Sequence, residues 1–169
     1  MSAERIVILR HGEKTSDLKD QNLSVHGYER AAALSVLLSH GYKDIVAICA
    51  AGIGPGSPSE RPSETIAPLA AKLNLVPVES YPKDQWSGAV QQIQQTDYTN
   101  GTVVLCWVHD EIPDIANALG AGMHPWPDGR YDVLWVLDYS SGSCVWNQKA
   151  QLLMYGDTEL AAVVSDPIQ

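Results

Sequence analysis

Arg5-Ile6-Val7-Ile8-Leu9-Arg10-His11-Gly12 is the stretch on which the reading of this chain turns. Four consecutive apolar residues, Ile6 to Leu9, are too few for a helix. They suit a strand covered on both faces, the kind found in parallel sheets. The run ends in a cation, a histidine and a glycine. In open α/β sheets ligands bind outside the carboxyl ends of the strands, and Arg10 and His11 stand at that edge. A histidine there can attack a phosphoryl ester while an arginine holds the phosphate oxygens. In isolation the tripeptide is better explained as a strand end followed by a polar turn. The rest of the chain changes that balance.

A second apolar run, Thr102 to Val108, also ends in a histidine, His109. After it, Ile112, Ile115, Ala116 and Leu119 fall at helical spacing, and Gly120 is a helix stop signal. A third run, residues 45–51, leads to Ser59-Glu60-Arg61-Pro62-Ser63-Glu64-Thr65. Pro62 suits a helix start, so Arg61 lies where backbone amides and a cation together suit an anion. If the strands are parallel, both histidines and Arg61 share one side of the sheet.

The expected order is strand 5–10, helix 24–40, strand 45–51, helix 60–73, strand 75–79, helix 88–95, strand 102–108, helix 111–119, and strands 132–138 and 144–150. Gly41 is read as the stop of the first helix. Alternation of this kind implies an α/β fold, a three-layer sandwich with a mostly parallel central sheet and helices on both faces. Ser140-Ser141-Gly142-Ser143 makes the last two strands an antiparallel edge hairpin. Residues 157–169 read as a tail or short helix. No repeat or linker divides residues 1–169, which are expected to form a single domain.

Four segments, in order and each at an expected strand end, resemble the histidine phosphatase superfamily, the phosphoglycerate-mutase-like fold. They are Leu9-Arg10-His11-Gly12-Glu13-Lys14, Leu23 to Ala31, Ser59 to Thr65, and Val108-His109. Gln151 to Asp157 is similar to the closing strand and turn of small members. The resemblance implies a metal-independent phosphomonoester hydrolase without a cofactor. His11 would be the nucleophile that forms a phosphohistidine. Arg10 and Arg61 would bind the phosphate, and His109 would stabilise it. The substrate would be a phosphorylated small molecule or a phosphorylated protein side chain, phosphohistidine included.

The proton for the leaving group is less legible. Many relatives use a glutamate after the second arginine, but residues 76–88 depart from that pattern, leaving Glu79 and Asp84 as poor matches. Another branch carries an aspartate directly after the second histidine, and Asp110 occupies that position. Asp110 is the favoured general acid, with Glu79 behind it. A helix-start residue favoured by the dipole is an equally good account of Asp110. Glu13 and Lys14 could line the pocket mouth but read better as a solvated turn, His26 reads as exposed, His40 as a helix C-terminal residue favoured by the dipole, and His124 as a residue in a loop that could border the pocket. Gly52 to Gly56 lacks the Gly-Lys-Ser/Thr ending of a nucleotide loop. The tryptophans read as packing.

Composition agrees. The chain has 169 residues, is 45% hydrophobic and 18% charged, and carries a net charge of −9. That charge argues against nucleic acid as a partner. No apolar stretch approaches membrane-spanning length. The N-terminus enters the first strand with no room for a signal peptide, and Cys49, Cys106 and Cys144 read as buried thiols, so a cytoplasmic location is expected. Two other readings stay open. One is a noncatalytic phosphate- or partner-binding module. The other is a phosphomutase, ranked lower because the chain has few residues for the loops that would enclose an intermediate.

Overall fold

The computed structural model describes residues 3–17 and 19–159. The chain runs β1 (Arg5–Arg10), α1 (Val25–Gly41), β2 (Ile45–Ala50), α2 (Arg61–Leu73), a single 3₁₀ turn (Lys83–Gln85), α3 (Trp86–Gln95), β3 (Thr102–Trp107), α4 (Ile112–Ala118), β4 (Val133–Asp138) and β5 (Val145–Ala150). The five strands form one mixed sheet in the order β2-β3-β1-β4-β5. β1 and β2 both pair parallel with β3, whereas β4 is antiparallel to β1 and β5. The parallel pairing thus holds the β2-β3-β1 side of the sheet, and the expected antiparallel hairpin closes the other edge.

Successive side chains of a strand point to opposite faces, and β1 is buried on both. Ile6 and Ile8 pack with Val103, Leu105 and Trp135 under α3 and α4, where Val90, Ile93, Ile112 and Ile115 face the sheet. Val7 and Leu9 pack with Val104 and Ile48 under α1 and α2, through Leu34, Leu38, Ile66 and Leu69. These are the three layers. Each fully buried Leu or Ile contributes about 1.5–3 kcal/mol relative to an exposed one.

The helix ends have distinct causes. Ser24 caps α1 by accepting the Gly27 N–H at 3.0 Å. α1 does end at Gly41, but not through a left-handed glycine. The chain turns to extended backbone at Tyr42, whose N–H donates to the Leu38 carbonyl at 2.9 Å. Gly120, by contrast, is left-handed, with φ +95°. Its N–H donates to the Asn117 carbonyl and that of Ala121 to the Ala116 carbonyl, the paired bonds of a Schellman stop.

The strand expected over residues 75–79 does not form. Val78 makes one parallel rung beside β2, donating to the Ile48 carbonyl and accepting from the Ala50 N–H. Pro77 has no N–H to extend the pairing. Residues 157–159 are irregular, and the remainder of the expected tail lies outside the described residues. Among the described residues, no helix is long and apolar enough to cross a membrane.

Candidate active site

His11 continues β1 by one further bond, its N–H donating to the Trp107 carbonyl at 3.1 Å. The residue is only 5% exposed. Its Nδ1 lies 2.7 Å from the Gly12 carbonyl. A carbonyl only accepts, so Nδ1 carries the proton and Nε2 keeps its lone pair. Burial pushes the His11 pKa down to about 4, opposed by the Gly12 contact and reinforced by the positive fields of Arg10, Arg61 and His109. The other three expected residues, Arg10, Arg61 and His109, thus lie close enough to act on one imidazole that is neutral at pH 7.

Arg10 is also 5% exposed. Its Nη1 donates to the Arg130 carbonyl at 3.2 Å, and its guanidinium lies over the Tyr131 ring. Nε of Arg10 is buried with no hydrogen-bond partner among the described residues. Burial lowers the Arg10 pKa, with Tyr131, Asp110 and Glu13 opposing. Arg61 opens α2. Its Nε donates to the Asn22 carbonyl at 3.1 Å and its Nη2 to the Asp20 carbonyl, so the loop before α1 fixes the side chain. Thr65, one turn into α2, accepts the Gly12 N–H at 2.8 Å and donates to the Arg61 carbonyl at 2.7 Å. That hydroxyl ties the backbone beside His11 to the helix that presents Arg61.

His109 follows β3 beside His11, its side chain 40% exposed. Burial lowers its pKa, and the field of Arg10 adds to the effect. Asp110 places Oδ1 3.2 Å from His109 Nε2, and its own side chain is 75% exposed. Glu79 is exposed beyond the single rung at Val78, and its side chain joins none of these contacts. Of the two proposed acids, only Asp110 stands at the site. Glu111, next in sequence, is a carboxyl whose pKa burial raises.

No protein-family model matches the sequence, and no curated protein matches it. Solved structures do match the fold. The protein histidine phosphatase SixA, complexed with tungstate, aligns at a TM-score of 0.62 and 17% identity, over 87% of this chain and 97% of that one. An Entamoeba histolytica phosphoserine phosphatase mutant with phosphoserine aligns at 0.58 and 14% identity, over 85% and 94%. A mycobacterial glucosyl-3-phosphoglycerate phosphatase with inorganic phosphate aligns at 0.56 and 16% identity, over 88% and 96%. The chain has the histidine phosphatase fold.

Within that histidine phosphatase fold lies a buried ionic cluster that the sequence reading missed. Glu13 is not a solvated turn residue. It accepts from Arg30 Nε at 2.8 Å, and Arg30 Nη2 lies 2.7 Å from the same oxygen. Arg30 also donates to Gln151 at 2.9 Å and to both oxygens of Asp157, at 3.1 and 2.8 Å. One legible signal existed: Arg30, Leu34 and Leu38 are spaced by four, which puts a charge on the apolar face of α1. Burial opposes ionisation of Asp157, but hydrogen bonds from Arg30 and from the Leu153 and Met154 amides overcome it and take its pKa down to about 2. The cluster clamps the closing turn against the residue two past His11.

The other histidines are accounted for. His26 is half-exposed between Glu13 and Glu29, and His40 bonds the Val36 carbonyl at 2.9 Å. His124 stacks on Trp146 at 3.8 Å and lines a groove of about 450 Å³ with Trp126 and Asp128. Cys49 and Cys106 are buried and Cys144 is half-buried.

Proposed function

We propose that this chain, as one histidine-phosphatase-like domain, hydrolyses phosphomonoesters through a phosphohistidine on His11. The observation that carries the reading is His11 itself. It is a buried imidazole, protonated on Nδ1, with Nε2 unprotonated and cations on neighbouring elements. Neutral histidine attacks phosphorus through Nε2. The P–N bond forms as the P–O bond to the leaving group breaks. Arg10 and Arg61 hold the phosphoryl oxygens, where planar guanidinium forks match the geometry, and His109 donates a further hydrogen bond. Water then attacks the phosphorus, breaks the P–N bond and releases inorganic phosphate. The cations are side chains, so turnover is proposed to need no metal.

Asp110 is the proposed proton donor to the leaving oxygen. It reaches the open side of the site next to His109, where a leaving group departs. Glu111 is its rival, because burial favours the protonated acid there. The substrate is proposed as a phosphorylated small molecule or protein side chain. Proteins of the same fold include a protein histidine phosphatase and a glucosyl-3-phosphoglycerate phosphatase, which supports both kinds.

The test is para-nitrophenyl phosphate hydrolysis with and without a chelator, for wild type beside His11→Ala. Chelator-resistant turnover that falls at least about a thousandfold in the variant is expected for loss of a nucleophile. Retained turnover in His11→Ala contradicts the assignment, and loss with chelator contradicts metal independence.

A further inference from the structure

The geometry points to Tyr131 as the residue that positions Arg10 for the phosphoryl group, an assignment that rests on the phosphate-binding role proposed for Arg10. The guanidinium carbon of Arg10 lies 3.9 Å from the centroid of the Tyr131 ring. The same ring is 6.0 Å from that of His11, tilted by 56°. Tyr131 therefore touches the proposed phosphate ligand and borders the proposed nucleophile.

The loop carrying Tyr131 is pinned on several sides. Trp126 Nε1 donates to the Arg130 carbonyl at 3.1 Å, the acceptor that Arg10 Nη1 also uses. The Tyr131 carbonyl accepts from Gln151 at 3.0 Å. The Arg130 side chain forks onto both oxygens of Asp132, at 2.5 and 2.8 Å. The backbone that carries the ring is thus fixed by Trp126, Gln151 and the Arg130–Asp132 pair in addition to Arg10.

The chemistry explains why a ring suits this place. A long arginine side chain loses considerable rotamer freedom when it is fixed. A carboxylate could fix it, but would neutralise the cation and compete with phosphate. Among the described residues no ion pair involves Arg10. A carbonyl and an aromatic face fix the plane of the guanidinium while leaving its charge for the ligand. The ring face is assigned this task, while the Tyr131 hydroxyl raises the Arg10 pKa against the effect of burial.

Tungstate affinity, measured by calorimetry on the full chain, tests the assignment without turnover. Tyr131→Leu is expected to weaken tungstate binding about tenfold, and Tyr131→Phe to restore it to within about twofold of wild type. In an Arg10→Lys background, Tyr131→Leu is expected to cost less than about twofold more, because the planar guanidinium that the ring orients is already gone. The side-chain NH resonance of Arg10 should be ring-shifted in wild type and Tyr131→Phe, and unshifted in Tyr131→Leu. If Tyr131→Leu melts early, Tyr131→Met carries the same comparison. Wild-type affinity in both apolar variants, equal losses in the Phe and Leu variants, additive losses with Arg10→Lys, or no tungstate binding by wild type would each overturn it. Wild type that binds tungstate with the expected coupling but releases no phosphate would contradict the hydrolase reading and leave this one standing.

Discussion

His11 shows how a single side chain is made ready. The Gly12 carbonyl selects the tautomer, and burial with the neighbouring cations Arg10 and Arg61 keeps the ring neutral. Asp110 is prepared differently, exposed and set against His109. A general acid matters in proportion to how poor the leaving group is. Asp110→Asn is therefore expected to lower the rate on an alkyl phosphate at least about tenfold more than on para-nitrophenyl phosphate. Steady-state rates on both esters decide this. Equal losses would remove Asp110 from the role, and a selective loss in Glu111→Gln instead would transfer it. The positions of Arg10, His11, Arg61 and His109 were legible because each ends, follows or opens an element whose apolar pattern is unambiguous. Tyr131 was not, since it lies in a Pro- and Gly-rich loop with no periodicity, and only the folded chain sets its ring on Arg10.

At the scale of elements, the site depends on backbones that approach closely. The loop after β1 packs directly on the first turn of α1. A Cβ on Gly27 would lie 2.4 Å from the Glu13 carbonyl oxygen, and one on Gly12 would lie 2.9 Å from the Gly27 oxygen. Gly27→Ala should accordingly destabilise the fold by about 1–3 kcal/mol, the usual cost of overpacking. It should also lower turnover, because Glu13 can retreat only by moving the residues beside His11. Urea unfolding together with activity at neutral pH checks both, and a variant as stable and active as wild type would contradict the contact. The helices and strands were nearly all readable, since alternation and 3.6-residue spacing survive into the folded state. The segment 75–79 was the exception: its apolar residues resemble a strand, but Pro77 and the position beyond β2 allow only one rung. The Arg30 cluster was half-readable. The charge on the helix face was visible, but its partners Glu13 and Asp157 are far apart in sequence.

For the whole molecule, an acidic protein holds a cationic site. The net charge of −9 repels anions at long range, so the proposed phosphate substrate would have to be captured locally, the role proposed for Arg10 and Arg61. Folding keeps the His11 pKa near 4, below the ordinary 6.5. The unfolded chain then binds the extra proton between those values, and stability falls as pH drops through that window. The difference corresponds to about 3 kcal/mol lost by pH 4 relative to pH 7. Asp157 adds a further loss below its ordinary pKa of 3.8, complete only below about 2. Urea midpoints at pH 7 and pH 4.5 should differ markedly less in His11→Gln than in wild type. An unchanged difference would show that His11 is not held neutral by folding.

The central claim is the phosphohistidine, and trapping it is the most direct measurement. Wild type is mixed with para-nitrophenyl phosphate, quenched in alkali, where phosphohistidine survives, and digested for mass spectrometry. The account predicts a phosphoryl group on the peptide carrying His11, absent from His11→Ala. Turnover by wild type with no phosphoryl group on that peptide, or with the group on another residue, would contradict it.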